Sequence, residues 1–270
     1  MPTLLESGLT PEQHAWMKKT LVAQTQSLGM LEMPIVADLL KKHRCRKVLD
    51  IGCGEGSFLI RLAKDTKNIR YVGVDHSETL IEDARVKVRR RSLKNVDFKI
   101  AFFNQGFERA KYDAVTTRYV LQHATNSQSF LDAVYRRLQK KGVFIAVESL
   151  DAYADCHERD LVWERYKASV AAVHREVGSN ADIGKSLGKV LKNAGFEKIH
   201  VCVLLCSPST VGWKRFRSVV GSTAGLANAF FPEIFDRELL QDVEQWLDDR
   251  GQMEQKDPYV CSVIADAVKR

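Results

Sequence analysis

The stretch VLDIGCGEGS, residues 48–57, sets three glycines and two carboxylates at the end of a short apolar run. Such a turn brings bare backbone amides close to a ligand, because glycine takes left-handed dihedrals and adds no side chain. A dinucleotide loop of similar shape spaces its glycines Gly-x-Gly-x-x-Gly. Counted from Gly52, the third glycine position is Ser57, so that spacing fails. The glycines stand instead at 52, 54 and 56, with Asp50 before them and Glu55 between. A pyrophosphate favours bare amides at a helix N-terminus, and two carboxylates at the rim oppose it. They suit a nucleotide that carries positive charge, such as the sulfonium and ammonium of a methyl donor. Asp75, closing the run IRYVGVD, suits a ribose diol, which both ligand types possess.

Further along, YDAVTTRYVLQH and VFIAVES are apolar runs that end in polar chemistry. Arg118 either reaches solvent or a nearby carboxylate, or grips an acidic group on a substrate. Histidine as a residue type titrates near neutral pH, and His123 is either a turn cap or a proton acceptor. Glu148 either caps a helix or ion-pairs, or faces a substrate. A displacement at an activated carbon needs mostly positioning and desolvation from the enzyme. A base is required only when the nucleophile arrives protonated.

The elements that must position these residues alternate. A helical leader covers residues 11–40, opened by Thr10 as N-cap and Pro11 at the first helical position. RKVLDIG is a strand, SFLIRLAKD a helix, IRYVGVD a strand, and SETLIEDARVKVRRR a helix capped by Ser77. Strands are also expected at VDFKIAFF and YDAVTTRYV, a helix over SQSFLDAVYRRLQKKG, then the strand VFIAVES. Strands separated by helical patterns of this length imply a parallel, doubly wound α/β sheet. After residue 150 the rhythm changes to a long helix over 152–176, a helix–strand unit DIGKSLGKVLKNAGFEKIHVCVLLCS, further helices across 211–250, and a closing strand YVCSVIADAVKR. The chain is read as a single domain, 1–270, with leader 1–40, core 41–150, and insertions 152–180 and 207–250 forming a helical cover over the sheet's carboxyl edge. Tyr153, Trp163, Tyr166, Trp213, Phe216, Phe230 and Phe231 crowd those insertions, as core packing or as walls of an acceptor pocket.

VLDIGCGEGSFLIRLA followed by YVGVDHSETLIEDAR resembles the first two motifs of class I S-adenosylmethionine-dependent methyltransferases. YDAVTTRYVLQH and AVYRRLQKKGVFIAVES resemble their fourth and fifth strand segments. The resemblance covers about residues 36–150 and extends through LGKVLKNAGFEKIHV. It implies a seven-stranded sheet in the order 3-2-1-4-5-7-6 with the last strand antiparallel, and S-adenosylmethionine as cofactor. It makes Asp50, Gly52 and Gly54, with Cys53 between, the cradle of the methionine part, Asp75 the ribose ligand and His76 the neighbour of the adenine. The backbone of Thr117 and Arg118 is implied to meet the cofactor's amino group. Phe102 or Phe103 stands where the family often has an acid near the adenine amine, with Asn104 as the substitute. Gln122 and His123 fall where small-molecule members often face the acceptor, and Glu148 matches a substrate-facing acidic position. Tyr119, Gln122, Tyr153, Tyr166 and Trp213 complete the expected acceptor site, with His123, Glu148 and Arg118 as the catalytic set.

Composition narrows the function classes. The chain is 45% hydrophobic and 28% charged, with no repeat, low-complexity tract or apolar run of membrane-spanning length. No signal-like start is seen, which gives the expectation of a cytoplasmic protein. Six scattered cysteines without a Cys-x-x-Cys pair fit free thiols rather than disulfides or zinc, and no metal-ligand spacing is found. The net charge of +7 is gathered in KKHRCRK (41–47) and RVKVRRRSLK (85–94). Both lie at expected helix ends, where solvent and the helix dipole suit them. No aromatic interleaves with them as a stacking platform, which disfavours nucleic acid. The expectation is methyl transfer to oxygen or nitrogen of a small-molecule metabolite or secondary metabolite, with a homodimer as the candidate assembly. Transfer to RNA or protein is supported by charge alone, and the Asn/Asp-Pro-Pro-Tyr/Phe tetrapeptide of many base-amino methyltransferases is missing at TTRYVLQH. A non-catalytic binding module is the third alternative.

Overall fold

The computed structural model describes residues 9–103 and 110–270. The chain forms two compact units, one of residues 32–149, 183–203 and 263–270, the other of the segments to 31, 150–182 and 204–262. In chain order the elements begin with α1 (Pro11–Gln26), α2 (Leu28–Lys42), β1 (Lys47–Ile51), α3 (Ser57–Asp65), β2 (Arg70–Asp75), α4 (Glu78–Arg91), β3 (Val96–Ile100) and β4 (Tyr112–Arg118). They continue with α5 (Ser127–Arg137), β5 (Leu138–Ser149), α6 (Leu161–Glu176), α7 (Ile183–Asn193) and β6 (Phe196–Cys206). Last come α8 (Pro208–Val211), α9 (Trp213–Phe230), α10 (Arg237–Asp248), α11 (Arg250–Lys256) and β7 (Val260–Lys269).

The strands make one seven-stranded sheet in the order β3-β2-β1-β4-β5-β7-β6, with β7 antiparallel. Its centre is a fully buried apolar layer: Leu49, Val74, Val115, Phe144 and Ala146, against which Leu187 and Leu191 of α7 pack. Burial of this kind contributes about 1.5–3 kcal/mol per large side chain, so these runs must lie inside the sheet. Register decides what reaches the carboxyl edge. Ile51 lies opposite both Val74 and Thr117, Asp75 opposite Ile100, and Arg118 opposite Val147. Gly52, Asp75 and Arg118 therefore leave the sheet at neighbouring points along one edge.

Helix starts follow the sequence closely. Thr10 and Gln13 form a reciprocal capping box at α1, and the Ser77 hydroxyl accepts from the Leu80 amide at 3.3 Å. The basic runs are helix C-termini, Lys41 and Lys42 in the last turn of α2 and Arg89–Arg91 in that of α4. At three boundaries the difference from expectation has a visible cause. The leader is two helices, separated at Ser27, whose hydroxyl is 2.7 Å from the Arg215 carbonyl. The helix expected through residue 142 stops at Arg137, because Leu138 already pairs with Tyr112 and Lys141 turns through φ 63. The helix expected from 152 begins only at Leu161. Asp155 first exchanges both backbone hydrogen bonds with Tyr259, and Asp160 then caps α6 through the amides of Val162 and Trp163.

The second unit has its own core. On α1 the Trp16 ring fills the space that a side chain at Gly225 of α9 would need, and Thr20 donates to the Ser222 carbonyl at 2.9 Å. Trp163 is fully buried, stacked on Tyr166 at 5.1 Å and on Trp246 at 5.4 Å, with Phe216 beside it. Among the described residues no helix is long and apolar enough to cross a membrane.

Candidate active site

The glycine loop follows β1 and is held by the strand next to it. The amides of Gly52 and Cys53 both donate to the Val74 carbonyl, at 2.8 and 3.0 Å. Gly52, Gly54 and Gly56 have φ of 68, 53 and 77, a region that favours glycine. At Gly52 a side chain would collide with Val120, so the turn after β4 lies directly against the loop. Gly56, the residue before α3, has its left-handed turn against Phe98 and Ala84.

The carboxylates of this edge have separate tasks. Asp75 accepts from the Gly54 amide at 2.9 Å through one oxygen and from the Ser77 amide at 3.0 Å through the other. A carboxylate has about four acceptor positions, so lone pairs remain for a diol. Asp50 is buried and accepts from the Thr116 hydroxyl at 2.6 Å. Burial pushes its carboxyl up to about 7, against the pull of Thr116 and Arg118. A cation bound beside it would restore its ionised form. Glu55 corrects the sequence argument, because it is not part of an acidic rim. It is buried, accepts from the Ser57 hydroxyl at 2.6 Å and is ion-paired with Lys87 of α4. Cys53 remains a thiol, since burial pushes its pKa well up, followed by the charges of Asp50 and Asp75.

His76 follows Asp75, with Nδ1 3.4 Å from its carboxylate and the ring stacked on Phe102 at 5.3 Å. Among the described residues its Nε2 is buried without a hydrogen-bond partner. An unmatched buried nitrogen beside a 60% exposed phenylalanine ring fits an aromatic heterocycle with hydrogen-bonding edges. Phe103 turns instead to Phe130, ring to ring at 5.4 Å. Asn104, expected to meet the adenine, lies outside the described residues.

The turn after β4 carries the remaining candidates. Thr117 is buried in the strand. Arg118 is almost buried, its Nε donating to Glu32 of α2 at 2.7 Å, and Glu32 is fully buried. Tyr119, at φ 56, donates its hydroxyl to the other Glu32 oxygen at 2.5 Å. The guanidinium also sits over the Phe58 ring at 5.0 Å and the Tyr119 ring at 4.7 Å. Arg118 is therefore the partner of an internal carboxylate. Glu148, completely buried at the end of β5, accepts from the amides of Val120, Leu121 and Gln122 at 3.3, 2.9 and 3.2 Å. Those amides begin the 3-10 turn Leu121–His123. Burial raises the Glu148 carboxyl to about 7, and the three amides pull it back down.

His123 ends that turn, exposed, with Nε2 3.0 Å from the Gln122 amide nitrogen. The Gln122 oxygen accepts from the Ser149 hydroxyl. With that oxygen committed, the Gln122 NH2 donates to His123, which makes Nε2 an acceptor and Nδ1 the protonated nitrogen. The structure thus brings together Asp50, Gly52, Cys53, Gly54, Asp75, His76, Thr117, Arg118, Tyr119, Gln122, His123 and Glu148 within one unit. Tyr153, Tyr166 and Trp213 belong to the other. Tyr153 is 57% exposed, Tyr166 lies in the aromatic core and Trp213 is half-buried at the start of α9.

This fold and loop have known relatives. A family model described as a methyltransferase domain matches residues 42–199. The chain belongs to the class I S-adenosylmethionine-dependent methyltransferases. It is accordingly an enzyme whose cofactor is S-adenosylmethionine. A carboxy-S-adenosyl-L-methionine synthase of Nautilia profundicola is 28% identical over 177 residues, 57% of this chain and 71% of the relative. One from Campylobacter jejuni is 30% identical over 193 residues, covering 64% and 75%. Among solved structures, an S-adenosylmethionine-dependent methyltransferase from Thiobacillus denitrificans in complex with S-adenosyl-L-homocysteine aligns with TM-score 0.54 at 14% identity, over 88% of this chain and 90% of the other. The [4+2]-cyclase SpnF aligns with TM-score 0.53 at 19% identity, over 86% and 79%. At those identities the structures speak for the fold alone.

Sequence reading missed Glu32, Lys87, Thr116 and Val120. Glu32 had a visible signal, as the lone carboxylate in the apolar run LGMLEMPIV. Lys87 had none, since it sits in a basic run that looks wholly solvated.

Proposed function

We propose that this methyltransferase acts on an oxygen or nitrogen of a small molecule, with His123 taking or relaying the acceptor's proton. The observation that carries the reading is the turn 120–123. It lies against Gly52, its first amides are tied to buried Glu148, and it ends in an exposed histidine. Asp50, Gly52 and Gly54 would hold the methionine part, Asp75 the ribose and His76 the adenine. When bound, S-adenosylmethionine supplies a methyl group on a sulfonium. An acceptor held against that methyl group would take it up with its own lone pair, and His123 would receive the proton that the acceptor gives up. To receive it on Nε2, the ring exchanges its Gln122 hydrogen bond for the acceptor, so Gln122 sets the ring's resting direction. An acceptor already free of its proton would need only the positioning.

The test is turnover with labelled cofactor and a metabolite extract, followed by His123→Ala on the acceptor found. The expected loss is about 10²- to 10⁴-fold in kcat with little change in cofactor affinity. A variant that keeps most of its activity makes His123 a cap. Label in RNA or protein instead of a small molecule would replace this acceptor class with the macromolecular one.

A second reading comes from the relatives' name, that the chain makes a carboxy derivative of S-adenosylmethionine. An added carboxylate needs a cation, and Arg118, which follows the Thr117 that lies opposite Ile51, is engaged by Glu32. Mass analysis of the nucleoside product separates the two, as the demethylated cofactor in one case and a carboxylated one in the other.

A further inference from the structure

Between the ends of β1 and β4 the charges are unequal in their freedom. Asp50 lies opposite Thr116 where β1 pairs with β4, Arg118 ends β4 two residues further on, and its charge pulls the Asp50 carboxyl down against the effect of burial. An arginine facing a buried carboxylate would ordinarily pair with it and leave a neutral site, or repel a cationic ligand. Here the arginine Nε points to Glu32, at 2.7 Å, and the second Glu32 oxygen takes the Tyr119 hydroxyl at 2.5 Å. Glu32 has no exposed surface and Arg118 has 10% of its side chain exposed. Such a pair is a costly device unless each partner is fully engaged. Asp50, meanwhile, has the uncharged Thr116 hydroxyl as its direct partner at 2.6 Å.

We infer that Glu32 is a specificity-determining positioning residue, which occupies Arg118 so that the cradle around Asp50 accepts a sulfonium in preference to a neutral thioether. It acts through Arg118 and touches no reacting atom. The inference rests on the assignment of the β1 and β4 ends as the cofactor site. S-adenosylmethionine and S-adenosylhomocysteine differ by one methyl group and one positive charge at sulfur, which makes the pair a direct probe. Tyr119, which shares Glu32 with Arg118, has a left-handed backbone at φ 56.

The experiment is calorimetric binding of both nucleosides to the wild type, Glu32→Gln, Glu32→Asp and the double variant Glu32→Gln/Arg118→Gln. Glutamine removes the carboxylate charge to which the Arg118 Nε donates. At an effective dielectric of about 20, an unmatched unit charge as far as about 10 Å from a bound cation weakens its binding on the order of tenfold or more. Glu32→Gln is expected to weaken S-adenosylmethionine about tenfold more than S-adenosylhomocysteine. Glu32→Asp, and the double variant with its charge balance restored, should return the ratio of the two affinities to the wild-type value. Because the double variant removes both charges of the Glu32–Arg118 pair, it keeps the test available if the single variant folds poorly. Equal losses for both nucleosides, or an altered ratio that persists in the double variant, would overturn the inference. The site assignment fails separately: Gly54→Val would then bind both nucleosides as the wild type does.

Discussion

Glu148 makes the sharpest forecast, because its chemistry is visible in stability as well as in catalysis. Its carboxyl is raised from the ordinary 4.5 to about 7, first by burial, with the amides of Leu121, Gln122 and Val120 acting against that shift. Between those two values the unfolded chain has released the proton while the folded chain still holds it. The folded state binds more protons there, so stability falls as pH rises from 4.5 to about 7 and is level above that. A difference of 2.5 between the two values (7 − 4.5) corresponds to about 3 kcal/mol. Glu148→Gln removes this dependence and keeps one oxygen for the turn amides. The new NH2 faces an amide donor, which costs about 1–3 kcal/mol at any pH. Urea unfolding of both proteins at closely spaced pH values gives the difference curve directly, in which the titrations of other groups cancel. The variant should be the less stable protein at pH 5, and the gap should narrow or reverse by pH 8. A gap of constant size across that range would refute the assignment of the proton to Glu148.

Replacing Gly54, at φ 53, by valine strains a left-handed turn and moves the amide that Asp75 accepts. Calorimetry should find both S-adenosylmethionine and S-adenosylhomocysteine binding lost with the circular dichroism unchanged, and binding within about threefold of wild type would count against the cradle. Lys87→Met leaves Glu55 buried without its cation and should destabilise the protein by about 3 kcal/mol. Adding Glu55→Gln should recover most of that loss in urea unfolding, and no recovery would mean that the two do not act as a pair.

The parts of the fold legible in the sequence were those set by local rules. The apolar runs at Val48–Ile51 and Val72–Val74, the Thr10 and Ser77 caps and the basic helix ends all behave as their residue types require. What failed depended on partners distant in sequence. AVYRRLQKKG has a helical pattern throughout, yet Leu138 is claimed by Tyr112 of β4 and the helix ends there. No local signal says that Asp155 pairs with Tyr259, so the start of α6 was misplaced by nine residues, from 152 to 161. Helix propensity amounts to tenths of a kcal/mol per residue, and a strand pairing or a buried cap outweighs it.

The site shows the same division more finely. Sequence reasoning favoured a cationic ligand because Asp50 and Glu55 flank the loop, and the family match supports that ligand. Half of the premise was wrong, since Glu55 is neutralised by Lys87 from 32 positions away. The charge that favours a sulfonium is set by a different balance. Glu32 from α2 compensates Arg118, Asp75 spends one lone pair on each of two loop amides, and Asp50 meets a hydroxyl rather than a cation. Motif residues mark where a ligand lies, but the sign of the field there depends on which charges are already matched. That matching is made by α2 and α4, elements outside the glycine motif, so a single loop quoted from the sequence can indicate the cofactor without containing the reason for it.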